Sequence, residues 1–171
     1  TAVRLAAAGA FASPSALDGE AGLFAALGKR ANASKVKLFG GTPEMLSVYH
    51  KPVPACNFAQ TPCQAALQLT REERVASERI SAIRIRVPRA GALYPGCNYA
   101  GPFAHILQAK MSIQYNVAAA LLLGEVSEKN FTMLSDPALQ RLLGLTTLQI
   151  DDAMTSVYPG LQGGEVSVVS T

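Results

Sequence analysis

A lysine stands at the start of a proline-rich stretch, KPVPACNFAQTP, at residues 51–62. Proline fixes its own φ and biases the preceding residue toward extended geometry, so the stretch predicts a stiff corner that presents Lys51 at low entropic cost. The corner leads into a predicted helix with Thr61 as N-cap and Pro62 as first residue. Because N–H groups at a helix N-terminus favour anions, Lys51 is a candidate carboxylate-binding group. The pattern also fits a surface lysine beside a rigid corner.

A second polar cluster opens the alanine-rich segment AKMSIQYNVAAALLLG at residues 109–124. Lys110, Ser112 and Tyr115 crowd the start of the helix predicted there, which Ser112 caps and Gly124 ends. A tyrosine hydroxyl is both donor and acceptor, so Tyr115 is a candidate proton donor or anchor for an anion. It fits equally well as a core aromatic residue with one hydrogen bond.

Signatures of several large enzyme classes are missing. The sequence contains no P-loop, GxGxxG, GxSxG or HExxH motif, and Asp151 with Asp152 fits a turn better than an acid–base pair. The three cysteines, Cys56, Cys63 and Cys97, form no CxxC pair, and there are only two histidines. We therefore expect neither a disulfide framework nor a metal site, and we predict a reducing, cytoplasmic location.

Composition limits the possible partners. The chain has 171 residues, 49% apolar and 16% charged, so it can bury a core and is too apolar to be disordered. The net charge is +3, and the fifteen Lys and Arg residues never form a run of five or six. That scatter argues against a nucleic-acid surface and suits an anionic small molecule. No apolar run approaches the length needed to cross a bilayer.

The remaining patterns alternate between helix and strand. In Ile80 to Val87 the apolar side chains share one face and arginines the other, which predicts a strand. Strands interleaved with helices, too few for a doubly wound sheet, predict an α+β fold, a two-layer α/β sandwich. The predicted helices cover 17–27, 61–74, 112–123 and 136–143, the other strands 47–53, 146–150 and 164–169, and loops 32–42 and 89–103.

The two ends resemble parts of a longer protein. TAVRLAAAG at residues 1–9 reads as the last turns of a helix that closes on Gly9. The final alternating segment, EVSVVST, reads as a strand that stops without a turn. We expect residues 1–28 to be the end of a helical domain and 29–171 to be an α+β domain truncated at its C-terminus.

Five motifs in order resemble the MmgE/PrpD family, which includes 2-methylcitrate dehydratase, cis-aconitate decarboxylase and iminodisuccinate epimerase. They are KPVPAC, TPCQAALQL, ISAIRIRVP, AKMSIQYNVAAALLLGEV and DPALQRLLG. The early segment AAAGAFASPSALDGEAGLFAAL is similar to the family's helix and glycine segment ahead of its second domain. The resemblance implies that this chain is the family's C-terminal lid domain, preceded by a remnant of its all-helical domain.

The resemblance also implies roles for individual residues. The family's lid lysine falls on Lys51 and its active-site tyrosine on Tyr115, the two expected catalytic residues. Cys56 occupies a position that is Cys or His among members, and Gln60 stands where many members carry histidine, which weakens an assignment of general-base chemistry there. We expect Cys56 and Gln60, together with Lys110 and Ser112, to bind substrate.

The expected reaction is that of a 2-methylcitrate dehydratase-like lyase of propionate catabolism, acting on a small di- or tricarboxylate by proton abstraction and loss of water. The family's other catalytic residues lie in the missing helical domain, so we expect the chain alone to be inactive, to need no cofactor and to form homo-oligomers. The resemblance also leaves epimerisation and decarboxylation as alternatives, because the family catalyses both through the same kind of carbanion. A catalytically silent lid that only binds a carboxylate or a partner is another.

Overall fold

The computed structural model describes residues 1–28, 44–73 and 75–171. The chain divides into an N-terminal unit, Thr1–Val48, and a C-terminal unit, Tyr49–Thr171. The N-terminal unit contains α1 (Ala2–Ala7), α2 (Leu23–Ala26) and a 3₁₀ turn at Glu44–Ser47. No helix in the described residues is long and apolar enough to cross a membrane.

The C-terminal unit is an α+β fold in which helices cover a small open sheet. Its short 3₁₀ turns lie at Asn57–Ala59, Ser77–Arg79 and Glu128–Thr132. In chain order its helices and strands are α3 (Gln60–Glu73), β1 (Ile80–Val87), α4 (Arg89–Leu93), α5 (Ile106–Met111), α6 (Ile113–Leu123), α7 (Pro137–Gly144), β2 (Thr146–Ile150), α8 (Asp152–Val157) and β3 (Glu165–Ser170).

The sheet has the order β2-β1-β3, with β1 parallel to β2 and antiparallel to β3. Ile83, Ile85 and Val87 of β1 are buried, whereas Arg84 and Arg86 between them are exposed. The sheet therefore packs one face on the core and leaves the other in solvent, as the period of two predicts.

The exposed face carries an ion-pair cluster. Arg86 pairs with Glu165 at 3.0 Å and with Asp151, whose side chain also accepts a hydrogen bond from Met154 N–H at the start of α8. That backbone hydrogen bond and the Arg86 charge help hold the pKa of Asp151 below its usual value. Asp151 is thus a helix cap paired with arginine, and Asp152 begins the helix itself.

Helix α6 is the centre of the core. Every residue from Ile113 to Leu121 is buried, and the helix packs against α3 on one side and α7 on the other. Ser112 caps it by accepting a hydrogen bond from Tyr115 N–H, and Gly124 ends it with φ of 67°. A helix buried on every side is typical of an element enclosed by its neighbours.

Many of the predicted elements are confirmed. The helix predicted for 112–123 and the strands predicted for 80–87, 146–150 and 164–169 occur within one residue of their predicted bounds. Asp136 caps α7 through Leu139 N–H, with Pro137 at the first helical position as expected. The helix that closes near Gly9 is also present, and Gly9 has φ of 82°. The predicted loop at 32–42 lies outside the described residues.

Several other predictions are wrong in part or entirely. The strand predicted for 47–53 does not form, because Ala55 N–H bonds to Val53 C=O at 2.8 Å in a tight turn. Of the helix predicted for 17–27, only α2 is helical. The chain turns tightly before it, since a Cβ at Gly22 would lie 2.9 Å from Leu17 C=O. Helix α4 lies in the segment predicted as a loop at 89–103, and the sequence patterns predict neither α5 nor α8.

The predicted N-cap of α3 is wrong too, because the helix is already under way at Gln60. The 3₁₀ turn at Asn57–Ala59 runs directly into it, and Gln60 has helical φ and ψ of −58° and −56°. The Thr61 hydroxyl instead donates to Gln162 C=O at 3.0 Å. The helix therefore begins one residue before its predicted cap, and Thr61 ties it to a distant loop.

We expect Gly164→Ala to destabilise the C-terminal unit by about 1–3 kcal/mol, the usual cost of overpacking. A Cβ at Gly164 would lie 2.8 Å from Pro62 Cδ and 3.0 Å from Pro62 N, where a ring and backbone cannot move aside easily. Gly144 in α7 is the matched control, because a Cβ there meets no atom within 4 Å. Urea unfolding should separate the two variants, and equal free energies of unfolding would contradict the close packing.

Candidate functional site

The corner that carries Lys51 is built by one side chain, Gln60. Its Oε1 accepts a hydrogen bond from Val53 N–H at 3.1 Å, and its amide nitrogen lies 2.9 Å from Val53 C=O and 3.2 Å from the carbonyls of Ala55 and Cys56. The prolines in this stretch supply no N–H donors, so the loop cannot form a backbone ladder of its own. The side chain of Gln60, in the first turn of α3, supplies the hydrogen bonds that a ladder would otherwise provide.

Two further contacts hold the corner against the rest of the unit. Cys56 N–H donates to Lys110 C=O at the end of α5 at 2.9 Å. The Asn57 side chain accepts from Tyr49 O–H at 2.7 Å and donates to Gln162 Oε1 at 3.0 Å, while Gln162 returns a bond to Asn57 C=O at 2.8 Å. The corner is therefore fixed by segments that lie far apart in the sequence.

A cavity of about 490 Å³ lies beside this corner. Its walls come from the corner, from α4 and the loop after it, from the end of α5 and from the loop after α8. Its described lining residues are Lys51, Cys56, Asn57, Phe58, Ala90, Tyr94, Met111 and Tyr158. The volume is in the range of cavities that bind small molecules.

Lys51 is the sole charged side chain among these described lining residues. It is exposed, and within the described part of the chain its ammonium group has no hydrogen bond or ion pair. An ammonium group offers three donors and a compact positive charge, so one without an internal partner can receive an anion. Among the described residues, the cavity thus combines one cation that has no internal partner with a mostly apolar wall.

Aromatic rings form much of that wall. The ring of Phe58 lies 5.4 Å from that of Tyr94 and 6.0 Å from that of Tyr158, measured between centroids. Gly91 permits this arrangement, because a Cβ there would lie 3.1 Å from the Phe58 ring. Phe58 of the corner therefore packs between the loop that carries Tyr94 and the loop that carries Tyr158.

Tyr94 and Tyr158 were not predicted as site residues. Each stands in a Tyr-Pro-Gly tripeptide, at 94–96 and 158–160, and this shared pattern is the signal that could have drawn attention to them. Tyr-Pro-Gly is typical of a rigid loop that presents its tyrosine. Only the folded chain brings the two loops to the same cavity.

Lys110 and Ser112, predicted to bind substrate, have other partners here. The Lys110 ammonium lies 2.7 Å from the Glu128 carboxylate and 5.1 Å from the centre of the Phe131 ring. Ser112 is fully buried, and its hydroxyl donates to Tyr99 C=O at 2.5 Å while capping α6. Neither residue is among the described residues that line the cavity with Lys51.

Tyr115, predicted to be catalytic, lies in the core. Its side chain is fully buried between Phe103 and Phe131, and its hydroxyl donates to Asn130 C=O at 2.7 Å. Burial, with a smaller contribution from the Asp136 charge, raises the pKa of Tyr115 to about 12. In this arrangement the hydroxyl stays protonated and serves as a hydrogen-bond donor to the backbone.

Among the described residues, no group of three or more His, Cys, Asp or Glu side chains is placed to hold a metal ion. The chemistry that the described lining residues offer is therefore that of an ammonium group, a thiol, an amide and two phenols. Such a set can bind and polarise an anion through charge and hydrogen bonds.

We expect Gln60→Ala to loosen the corner and to lower the free energy of unfolding by about 1–3 kcal/mol, the cost of leaving buried polar groups unpaired. Hydrogen exchange at Val53 N–H should become faster, because that group loses its acceptor. Gln64→Ala is the matched control, since Gln64 is exposed on the same helix. Unchanged exchange at Val53 in the Gln60 variant would contradict the bracing role.

We expect Tyr115→Phe to cost about 0.5–1.5 kcal/mol of stability, because Asn130 C=O loses its 2.7 Å bond to the hydroxyl and keeps only the 3.4 Å bond from Met133 N–H. Anion binding at the cavity should stay as in the parent chain. Tyr94→Phe is the comparison, because it removes a hydroxyl from a side chain that is 50% exposed and lines the cavity. Unchanged stability together with weakened binding in Tyr115→Phe would instead support the catalytic role that the family resemblance implies.

Comparison with known families matches residues 53–171 to the MmgE/PrpD C-terminal domain. The matched span contains the cavity's described lining residues except Lys51, which lies two positions before it. The search of curated proteins finds no match. The family match covers well over half of the sequence and agrees with the α+β fold of the C-terminal unit. The chain therefore belongs to the MmgE/PrpD family and contains its C-terminal domain.

Proposed function

We propose that this chain supplies the Lys51 half of a carboxylate-binding site in a 2-methylcitrate dehydratase-like lyase. The observation that carries the proposal is the Lys51 ammonium, which has no partner in the described part of the chain and lies at a cavity whose described lining includes no acidic residue. A small di- or tricarboxylate fits such a cavity, because one carboxylate can pair with Lys51 while its carbon skeleton lies along the aromatic wall. Family membership supports the same class of substrate.

In the proposed reaction a base removes a proton from the carbon next to a substrate carboxylate, and a hydroxyl group leaves as water. Charge builds on that carboxylate as the C–H bond breaks, and an ammonium group beside it stabilises the enediolate-like transition state. Lys51 has this role in the proposal. The phenols of Tyr94 and Tyr158 are the candidate donors to the leaving hydroxyl, since both line the cavity.

The base that removes the proton comes from elsewhere in this proposal. The described lining residues include no carboxylate and no imidazole, which are the usual general bases. We assign that base to the helical domain that accompanies the C-terminal domain in the resembled family. The chain alone would then bind the anion and catalyse nothing.

Three other functions remain compatible with this geometry. Epimerisation and decarboxylation use the same stabilisation of negative charge next to a carboxylate, so the Lys51 cavity alone does not distinguish them from dehydration. A silent domain that only binds a carboxylate requires the same lysine and no base. The distinction depends on turnover, which binding experiments do not measure.

We expect Lys51→Met to weaken citrate binding to this chain about tenfold or more, the value of one charge-assisted hydrogen bond. The thermal midpoint should stay almost unchanged, because Lys51 is exposed and has no partner in the described residues. Isothermal titration calorimetry measures the first quantity and differential scanning calorimetry the second. Lys129→Met is the matched control, since Lys129 is exposed and does not line the cavity.

Equal affinity of the parent and Lys51→Met chains would overturn the carboxylate site. The reaction is tested separately by incubating the chain with 2-methylcitrate, citrate, cis-aconitate and iminodisuccinate. Turnover of any of these by the chain alone would overturn the assignment of the base to a helical domain, and the product would identify the reaction.

A further inference from the structure

Two cysteine thiols meet at the edge of the Lys51 cavity. The sulfurs of Cys56 and Cys97 lie 3.4 Å apart, although the residues are separated by 41 positions in the sequence. Both are reduced in this structure, as is Cys63. A disulfide has sulfurs about 2.05 Å apart, so the two thiols need only a small approach to become bonded.

The backbone holds this pair in place from both sides. Cys56 N–H donates to Lys110 C=O at 2.9 Å, and Cys97 C=O accepts from Ile113 N–H at 2.9 Å. Both cysteines are therefore anchored to the junction between α5 and α6. The short distance between the two sulfurs is therefore set by the backbone of the fold and not by flexible surface side chains.

The two thiols differ in their access to small molecules. Cys56 is half-buried and lines the cavity, whereas Cys97 is fully buried behind it. Burial, the hydrogen bond to Cys56 and the charge of a Cys56 thiolate together raise the pKa of Cys97 to about 12. A reagent that enters the cavity thus meets Cys56 first, because Cys97 is buried behind it.

We propose that Cys56 and Cys97 form a reversible disulfide when the protein meets a hydroperoxide, with Cys56 as the thiol attacked first and Cys97 as its resolving partner. This inference is independent of the reaction proposed for the cavity. It is also compatible with a reducing location, where disulfides are transient and serve redox sensing.

The chemistry balances in two steps. The Cys56 thiolate attacks one oxygen of hydrogen peroxide, the O–O bond breaks, and Cys56 becomes a sulfenic acid while hydroxide takes up a proton and leaves as water. The Cys97 sulfur then attacks the Cys56 sulfur, its proton and the sulfenic hydroxyl leave as a second water, and the S–S bond forms. The two thiols lose two electrons, which the peroxide accepts.

The disulfide would change the Lys51 cavity. Cys56 belongs to the corner, and Cys97 N–H donates to Tyr94 C=O at 3.0 Å, so the new bond links the corner to the loop that carries Tyr94. It also removes the thiol of Cys56 from the groups that can donate a hydrogen bond to a ligand. Oxidation of the pair would therefore change the shape of one wall of the Lys51 cavity and the hydrogen-bond donors that this wall offers.

Limited hydrogen peroxide treatment of the 171-residue chain tests the inference. We expect thiol titration under denaturing conditions to fall from three to one, and to return to three after dithiothreitol. Non-reducing peptide mapping should join the tryptic peptide that contains Cys97 to the one that contains Cys56. That second peptide also contains Cys63, because no lysine or arginine lies between 56 and 63.

Cys63→Ala resolves the assignment and is the matched control. Cys63 is fully buried, and burial raises its pKa far above the usual thiol value, so it should stay reduced in the parent chain. The Cys63 variant should still form the linkage after peroxide treatment. Cys97→Ser should form none and should accumulate a Cys56 sulfenic acid, detected by dimedone labelling and mass spectrometry.

Three results would overturn the inference. One is a linkage that disappears in Cys63→Ala, and another is a crosslink only between two chains. The third is irreversible oxidation of Cys56 while Cys97 remains a free thiol in the parent chain. The parent chain supplies this last measurement by itself, so the test does not depend on the folding of a variant with a serine in the core.

Discussion

The corner of the candidate site depends on the side-chain amide of Gln60. A loop with prolines at alternate positions has few donors and cannot pair with a strand, so its carbonyls need partners from elsewhere. Gln60 provides both a donor group and an acceptor at the first turn of α3, and it reaches Val53, Ala55 and Cys56. The position of Lys51 beside the cavity follows from this bracing, because the prolines and Gln60 together leave the corner few alternative conformations.

At the junction between α5 and α6, too, a single side-chain amide bonds to several backbone groups. The Asn116 amide nitrogen lies 2.9 Å from Ala109 C=O and 2.7 Å from Ser112 C=O, which joins the end of one helix to the start of the next. The adjacent Lys110 C=O, 3.5 Å from the same amide nitrogen, accepts from Cys56 N–H, and Ile113 N–H donates to Cys97 C=O. One buried asparagine thus organises the backbone groups on which two walls of the cavity are fixed.

The sequence allowed prediction of the elements whose signals are local. The strand at β1 follows from alternation, and α6 and α7 follow from a capping residue at one end and a glycine or apolar limit at the other. The cavity could be predicted only in part, through Lys51 and Cys56, because its walls outside the corner come from helices and loops more than thirty residues away. Proximity of that kind results from tertiary packing, which no local period encodes. The strand predicted for 47–53 was wrong for the same reason, since Val53 at its end bonds to the Gln60 side chain of α3 and to Ala55 N–H in a tight turn.

The two candidate lysines show why residue type and position along the chain do not identify a binding group. Lys110 is neutralised by Glu128 and lies over the ring of Phe131, so an incoming anion would have to displace an existing carboxylate. Lys51 has no such competitor in the described residues, and its neighbours in the cavity are uncharged. Pairing with a new carboxylate at Lys51 therefore costs only the hydration of the two groups, whereas pairing at Lys110 also costs the bond to Glu128. Of the two lysines, Lys51 is therefore the one that can bind an anion without losing an existing ion pair.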